Sequence, residues 1–305
     1  MVVVSYPYTN VISLYEDNPH LYSTFEFEYP KDKEKFLDYI IPVLEKEYGL
    51  DSSLIEEKLK NVSSDKREAI INFMKKHNTP NPDKSISPKR PWLKNTRSKL
   101  PEIIARDILS KKENVKFPYR YSINEEDPDM PKRGIDGFGF IFKEDNGGVS
   151  LDYIVAAEVK ASEDKNSPPA TVHQAKDSMF SALKSIVNID TRLRKSLASA
   201  FDILDEKEFV AVVANIISII EENDYNKLEE LKKQIVVVPF LLRKREFWSE
   251  DDYGKFKTNS HELDCAAIKY YIVALDYDLG DFSDEIYEIL RNGRDDKVSL
   301  GKSDK

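Results

Sequence analysis

Three charged residues lie in or beside two apolar segments that follow each other along the chain. Glu158 and Lys160 interrupt the apolar run Ile154-Val-Ala-Ala-Glu-Val-Lys, and Asp136 lies in Arg133-Gly-Ile-Asp-Gly-Phe-Gly-Phe. Because Glu158 and Lys160 are two positions apart, they point to the same face of a strand. Charged side chains at the end of a core strand are costly unless they are paired or bound to a metal. The pattern therefore indicates a polar site built on two strands.

The residue types indicate phosphodiester hydrolysis. Two carboxylates a few ångströms apart raise each other's pKa, and a hard divalent cation removes this conflict by taking oxygen ligands from both. We expect Mg²⁺, with Mn²⁺ as an alternative. Such a cation polarises a phosphate and lowers the pKa of a water. Lys160 beside it can orient or help deprotonate that water and offset phosphate charge.

A β-hairpin is expected to bring Asp136 beside Glu158. Two apolar runs, Ile135 to Phe142 and Leu151 to Val159, are joined by a segment containing Asn-Gly-Gly, which tolerates positive φ. The glycines around Asp136 are expected to let a ligand or metal approach the backbone closely.

The elements around the hairpin predict an α/β fold. Helices are predicted from Leu100 onward and from Thr171 to about Val187, and buried strands at Gln234 to Leu242 and Lys269 to Leu275. Further predictions are helices at Lys33 to Tyr48, Ser53 to His77 and Asp281 to Arg291, whereas Glu208 to Glu222 fits either a buried helix or a strand.

A proline-rich stretch from Asn78 to Pro88 predicts a boundary near residue 88. Residues 1–88 would then form a smaller, mainly helical N-terminal region of unknown role, for which partner docking is one hypothesis. Residues 89–293 would form the α/β domain, and 294–305 a disordered tail.

This order of helix, hairpin with Asp and Glu-x-Lys, helix and further strand resembles the core of the PD-(D/E)xK nucleases. The resemblance implies a restriction-endonuclease-like core, in which helices flank a central mixed sheet. It also implies that Asp136, Glu158 and Glu102 are metal ligands and that Lys160 is the catalytic lysine. Ile135 replaces the proline of the family name.

Gln174 resembles the glutamine that contacts the site or the DNA in nucleases related to the RecB domain. The tyrosine expected four residues later is replaced by Ser178.

The segments Leu100-Pro-Glu-Ile-Ile-Ala, Met130-Pro-Lys-Arg-Gly-Ile-Asp-Gly-Phe-Gly and Glu158-Val-Lys look most like the nuclease-subunit family (HamA) of the Hachiman anti-phage defence system. The similarity covers roughly residues 90 to 290. It implies a superfamily-2 helicase partner and defence against invading DNA.

Charge is distributed unevenly along the chain. The formal net charge is −9, but eleven basic residues face three acidic ones between Lys84 and Arg120. This stretch could follow a phosphate backbone, or it could be a solvated basic face. The residues predicted to contact nucleic acid are Lys94, Arg97, Lys99 and Arg133. The Arg243-Lys-Arg run offers the same two alternatives.

Several classes of protein are disfavoured by composition. The single cysteine, Cys265, excludes an internal disulfide and a cysteine-rich zinc site. No apolar run approaches the roughly 20 residues that cross a bilayer, so we expect a cytoplasmic protein without membrane contact.

Three alternatives to a deoxyribonuclease stay open. Glu158 and Lys160 could simply pair with each other at a strand end, since Asp and Glu-x-Lys at this spacing also occur by chance. The chain could be a catalytically inactive nuclease-fold module that binds DNA or a partner protein. It could also be an RNase effector, because the chemistry does not distinguish the sugars.

Overall fold

A mixed sheet forms the centre of the fold. The computed structural model describes residues 10–118, 127–129, 134–145 and 148–293. Within them, six strands pair in the order β1-β2-β6-β5-β4-β3. Their bounds are β1 Asn10–Asp17, β2 His20–Phe27, β3 Gly137–Asp145, β4 Gly148–Ser162, β5 Ile235–Lys244 and β6 Ala267–Leu275. The pairs among β2, β6, β5 and β4 are parallel, and the two outer pairs are antiparallel.

Helices flank this sheet, so the predicted α/β class with a central mixed sheet is confirmed. Their bounds are α1 Tyr29–Glu47, α2 Ser52–Leu59, α3 Ser64–Asn78, α4 Thr96–Lys112, α5 Ala170–His173, α6 Met179–Val187, α7 Thr191–Ile203, α8 Lys207–Glu222, α9 Tyr225–Lys232, α10 Lys255–Thr258 and α11 Leu279–Asn292. No helix among the described residues is long and apolar enough to cross a membrane.

The predicted hairpin and the strands β5 and β6 are confirmed. The segment that fitted either class is the helix α8, whose buried residues Phe209, Val213, Ile216 and Ile220 recur at helical spacing. Two helices that were predicted to be continuous are interrupted, so these predictions were wrong. The helix predicted at Ser53 to His77 is divided into α2 and α3. The helix predicted from Thr171 to about Val187 ends at His173 and resumes at Met179, where the Ser178 side chain caps α6.

Two compact units divide the chain, and both are discontinuous in sequence. The first contains the described residues of 1–39, 98–120 and 132–279, and the second those of 40–97, 121–131 and 280–305. This division differs from the boundary predicted near residue 88, because β1 and β2 belong to the sheet and lie in the first unit. The tail predicted from residue 294 lies outside the described residues.

A large apolar core supports the hairpin in the first unit. It includes Phe140 on β3, Ile154 and Ala156 on β4 and Val237 on β5, all fully buried. β5 is buried at nine of its ten positions, as expected for a central parallel strand covered on both faces. The strand that carries Glu158 is therefore paired on one side with a fully covered strand, β5, and on the other with β3.

A buried ion pair fixes the end of β5. Arg243 and Asp252 are both 0% exposed, and their Nε and Oδ2 atoms are 3.0 Å apart. The guanidinium also donates to the carbonyl oxygens of Asp164 and Asn166, which follow β4. Lys244 and Arg245 form ion pairs with Glu246 and Glu26. All three basic side chains of the Arg243-Lys-Arg run therefore form ion pairs within the chain.

Replacing Arg243 by Met should lower the free energy of unfolding by about 3–5 kcal/mol, because Asp252 would stay buried without its cation. Arg245→Met is the control, since this residue forms a partly exposed pair worth about 0–1 kcal/mol. Urea denaturation measures both values. Equal losses in the two variants would contradict the structural role of Arg243.

Candidate active site

Asp136 is the residue directly before β3, and the neighbouring strand holds its side chain in place. The backbone N–H of Val159 donates to Asp136 Oδ2 at 2.8 Å. Gly137 pairs with Ala157 across the antiparallel hairpin, so the Asp136 side chain lies beside the residue that follows Ala157. That residue is Glu158, and the predicted proximity of the two carboxylates is present.

Glu158 and Lys160 lie on one face of β4, as their spacing predicted. Lys160 Nζ donates to Glu158 Oε1 at 2.7 Å. The Glu158 residue is only 6% exposed, whereas 28% of the Lys160 side chain is exposed. The lysine is therefore the member of the pair that solvent, or a substrate, can reach.

Burial and a neighbouring carboxylate raise the pKa of Asp136 and that of Glu158. For Asp136 the pKa rises to about 6, first because it is buried and second because of the Glu102 carboxylate. The Val159 N–H and the charges of Lys160 and Arg106 act in the opposite direction. Glu102, on α4, is therefore close enough for its charge to act on Asp136.

For Glu158, burial and then the Asp136 charge raise the pKa, while Lys160 and Arg192 lower it. Burial lowers the pKa of Lys160, but the carboxylates of Glu158, Asp136 and Asp177 outweigh it, and the pKa is raised overall. Lys160 is therefore a cation at neutral pH, suited to donating hydrogen bonds and offsetting negative charge.

The donor set fits a hard divalent cation. Asp136, Glu158 and Glu102 supply carboxylate oxygens, which Mg²⁺ and Mn²⁺ prefer, and their repulsion in a buried place would be relieved by positive charge. Among the described residues, no three acidic, histidine or cysteine side chains are already arranged as a ligand set. A cation would have to draw these carboxylates together.

The glycines of β3 have a different role from the one predicted. A Cβ atom at Gly139 would lie 2.6 Å from Val115 Cγ1 and 2.7 Å from the Lys116 carbonyl oxygen, and one at Gly137 would lie 3.1 Å from Ala157 Cβ. For Gly137 and Gly139 the expectation that they leave room for a ligand was wrong, whereas a Cβ at Gly134, on the other side of Asp136, would have nothing within 4 Å. Gly137 and Gly139 let the segment after α4 and the strand β4 approach β3.

Gln174 is exposed and follows the short helix α5, where its backbone N–H donates to the Ala170 carbonyl oxygen. No described contact joins its side chain to the carboxylates.

Sequence reasoning missed three charged residues that act on the site. Arg106 acts on Asp136, Arg192 on Glu158 and Asp177 on Lys160. Arg106 had a usable signal, because it stands four residues after Glu102 on one helix face. Arg192 had none, since the helix α7 that carries it was not predicted.

Most of the side chains predicted to contact nucleic acid instead contact other parts of the protein or are buried. Lys94 pairs with Asp284 at 2.7 Å, and Arg97 donates to the Trp92 carbonyl oxygen at 3.1 Å. Lys99 is 3% exposed, so its predicted contact with phosphate was wrong for this structure. Arg133 lies outside the described residues.

One comparison with known proteins gives a match. The family model described as HamA matches residues 6–290, which is most of the chain. No curated protein and no solved structure matches.

The raised pKa of Asp136 predicts a pH-dependent stability in the presence of EDTA. The folded pKa of about 6 exceeds the ordinary 3.8, so the folded state binds more protons between these values. The free energy of unfolding should therefore fall as pH rises through 6. Asp136→Asn keeps an oxygen that accepts from the Val159 N–H but has no carboxyl proton to lose. The variant should therefore not show this fall in the free energy of unfolding, which is on the order of 1–3 kcal/mol.

Denaturation at pH 5 and pH 7.5 measures the effect, and the variant should gain on the wild type as pH rises. Asp152→Asn, on the neighbouring strand β4 and paired with the exposed Lys143, controls for the loss of one negative charge. A difference between Asp136→Asn and wild type that does not change with pH would contradict the burial and repulsion described.

Proposed function

Since the chain belongs to the HamA family, the nuclease-subunit family of the Hachiman anti-phage defence system, we propose that it is a metal-dependent deoxyribonuclease of the PD-(D/E)xK type. The reaction is hydrolysis of DNA phosphodiester bonds at the site formed by Asp136, Glu158 and Lys160, with Glu102 as a further ligand.

The observation that carries this proposal is the raised pKa of two neighbouring carboxyl groups beside a lysine cation. Burial also raises the pKa of Asp252, the acid of a structural ion pair, although its partner Arg243 favours the charged form. What distinguishes the candidate site is a second carboxylate that adds to the shift of each acid. Here the pKa of Asp136 and that of Glu158 are both raised. Each carboxylate contributes to a repulsion that Lys160 offsets only in part. Perturbed groups of this kind are typical of catalytic and metal sites.

Each side chain has a role that its position supports. Asp136, Glu158 and Glu102 would hold Mg²⁺ or Mn²⁺, which when bound polarises a phosphodiester and stabilises the charge that develops during hydrolysis. Lys160 orients the attacking water and offsets the phosphate charge by donating hydrogen bonds. Because its pKa is raised, it acts as a cation and not as the general base.

The partner and the biological setting follow from the family. A component of an anti-phage system that cleaves DNA has to be restrained in an uninfected cell, and we propose that a superfamily-2 helicase subunit in the cytoplasm provides this control. The choice of DNA over RNA rests on the same family membership.

Lys160→Ala and Glu158→Gln should each reduce cleavage of DNA by about 10²–10³-fold, the usual cost of removing one group that stabilises the transition state. The assay compares linear, circular and single-stranded DNA with an RNA of equal length, in Mg²⁺, Mn²⁺ or EDTA, with and without the helicase. EDTA should abolish cleavage.

Lys143→Ala is the matched control, because Lys143 lies on the same hairpin and forms an ion pair of the same 2.7 Å length with Asp152. It should cleave at the wild-type rate. Cleavage that persists in Lys160→Ala would overturn the assignment of the site. Absence of cleavage under every condition would favour a nuclease-fold module that only binds, and cleavage restricted to RNA would favour an RNase effector.

A further inference from the structure

Most of the basic stretch between Lys84 and Arg120 is used within the protein. Ion pairs, ring contacts or burial involve Lys84, Lys94, Lys99, Arg106, Lys111, Lys112 and Lys116. Lys89 and Arg90 differ, because both are exposed and neither forms an ion pair with any described residue. Lys89 and Arg90 are therefore two exposed cations, adjacent in sequence, for which the described part of the chain provides no acidic partner.

Trp92 follows these two cations in sequence and is also exposed to solvent. It is 64% exposed, which is unusual for a large aromatic side chain that normally contributes to a core or an interface. Pro88 and Pro91 of the same turn are exposed as well. One short segment thus combines an aromatic ring with two positive charges.

Hydrogen bonds hold this segment in a defined conformation. We call residues 86–93 the Trp92 loop. The Ile86 N–H donates to the Leu93 carbonyl oxygen at 2.6 Å, and the Arg90 N–H donates to that of Ser87 at 2.8 Å. Arg97, which was predicted to contact DNA, instead donates a hydrogen bond to the Trp92 carbonyl oxygen and stabilises the loop. The loop needs little ordering when it binds a ligand.

We propose that the Trp92 loop binds single-stranded DNA, with the Trp92 indole stacked on a base and Lys89 and Arg90 at the adjoining phosphates. An exposed ring that follows two unpaired cations within three residues of sequence suits a base and its neighbouring phosphates, because stacking uses the ring face and the cations replace released counterions. A duplex hides its base faces, which favours a single strand. An apolar protein partner would leave both cations without counter-charge.

This inference rests on the proposed function for the choice of DNA, but binding at the loop does not require cleavage. The chain carries a net charge of −9, so a polyanion needs a local positive surface to approach it. The Trp92 loop provides such a surface and identifies unpaired DNA as the form that the protein contacts.

The test measures the affinity of the full chain for a fluorescent 20-nucleotide oligothymidylate by anisotropy, in EDTA so that no cleavage occurs. Trp92→Ala should weaken binding about 5- to 140-fold, the range that base–aromatic stacking of about 1–3 kcal/mol gives. Trp92→Phe should retain most of the affinity. Lys89→Ala/Arg90→Ala should reduce the slope of log K against log salt by about 1.4, since each phosphate contact on a single strand contributes about 0.7.

Two matched controls come from the same compact unit. Phe73→Ala removes an aromatic ring that is 63% exposed, and Lys60→Ala/Lys66→Ala removes two exposed charges. Both should bind like the wild type. Equal losses in these controls would show a nonspecific effect and would overturn the proposal.

Intrinsic fluorescence separates stacking from charge attraction alone. The chain has two tryptophans, and Trp248 is partly buried while Trp92 is exposed. The oligonucleotide should quench the wild-type emission and leave that of Trp92→Phe unchanged. Unaltered affinity in both loop variants, or tighter binding of duplex than of single strand, would refute the inference. A protein that binds through the loop and never cleaves would refute the proposed function alone.

Discussion

Repulsion between two buried carboxylates is the constraint on which this structure depends. The hairpin places Asp136 beside Glu158, and burial removes the water that would otherwise screen them. Lys160 donates to one oxygen of Glu158, which offsets part of the charge and leaves the rest unbalanced. A bound cation would resolve this imbalance, and the proposed phosphodiester chemistry would use the same positive charge on the substrate.

The fold keeps the carboxylates together despite this repulsion. β4 lies between an antiparallel partner, β3, and a parallel partner, β5, so its backbone cannot move aside. Gly139 lets the segment after α4 lie directly against β3, and Arg243 joins the end of β5 to the loop after β4. Core packing and the Arg243–Asp252 pair stabilise the fold. This stability offsets the unfavourable burial and repulsion of the carboxylates.

The sequence predicted the parts of the site that depend on local periodicity. The two-residue spacing of Glu158 and Lys160 predicted that they share one face, and the Asn-Gly-Gly sequence predicted that their strand pairs with the strand that follows Asp136. Properties that depend on packing were not predictable in this way. Lys99 has the sequence environment of a surface lysine but is buried, the glycines of β3 face protein atoms, and the helix expected across Gln174 is interrupted. The charge of Arg192, on a helix distant in sequence, lowers the pKa of Glu158.

Titration of Mn²⁺ into the full chain by isothermal calorimetry shows whether the conflicting carboxylates bind a cation at all. We expect saturable binding to the wild type that Asp136→Asn and Glu158→Gln each abolish, while Asp152→Asn, on the strand of Glu158, binds as the wild type does. Binding that is unchanged in the first two variants, or no binding to the wild type at millimolar concentrations, would contradict the proposed metal site.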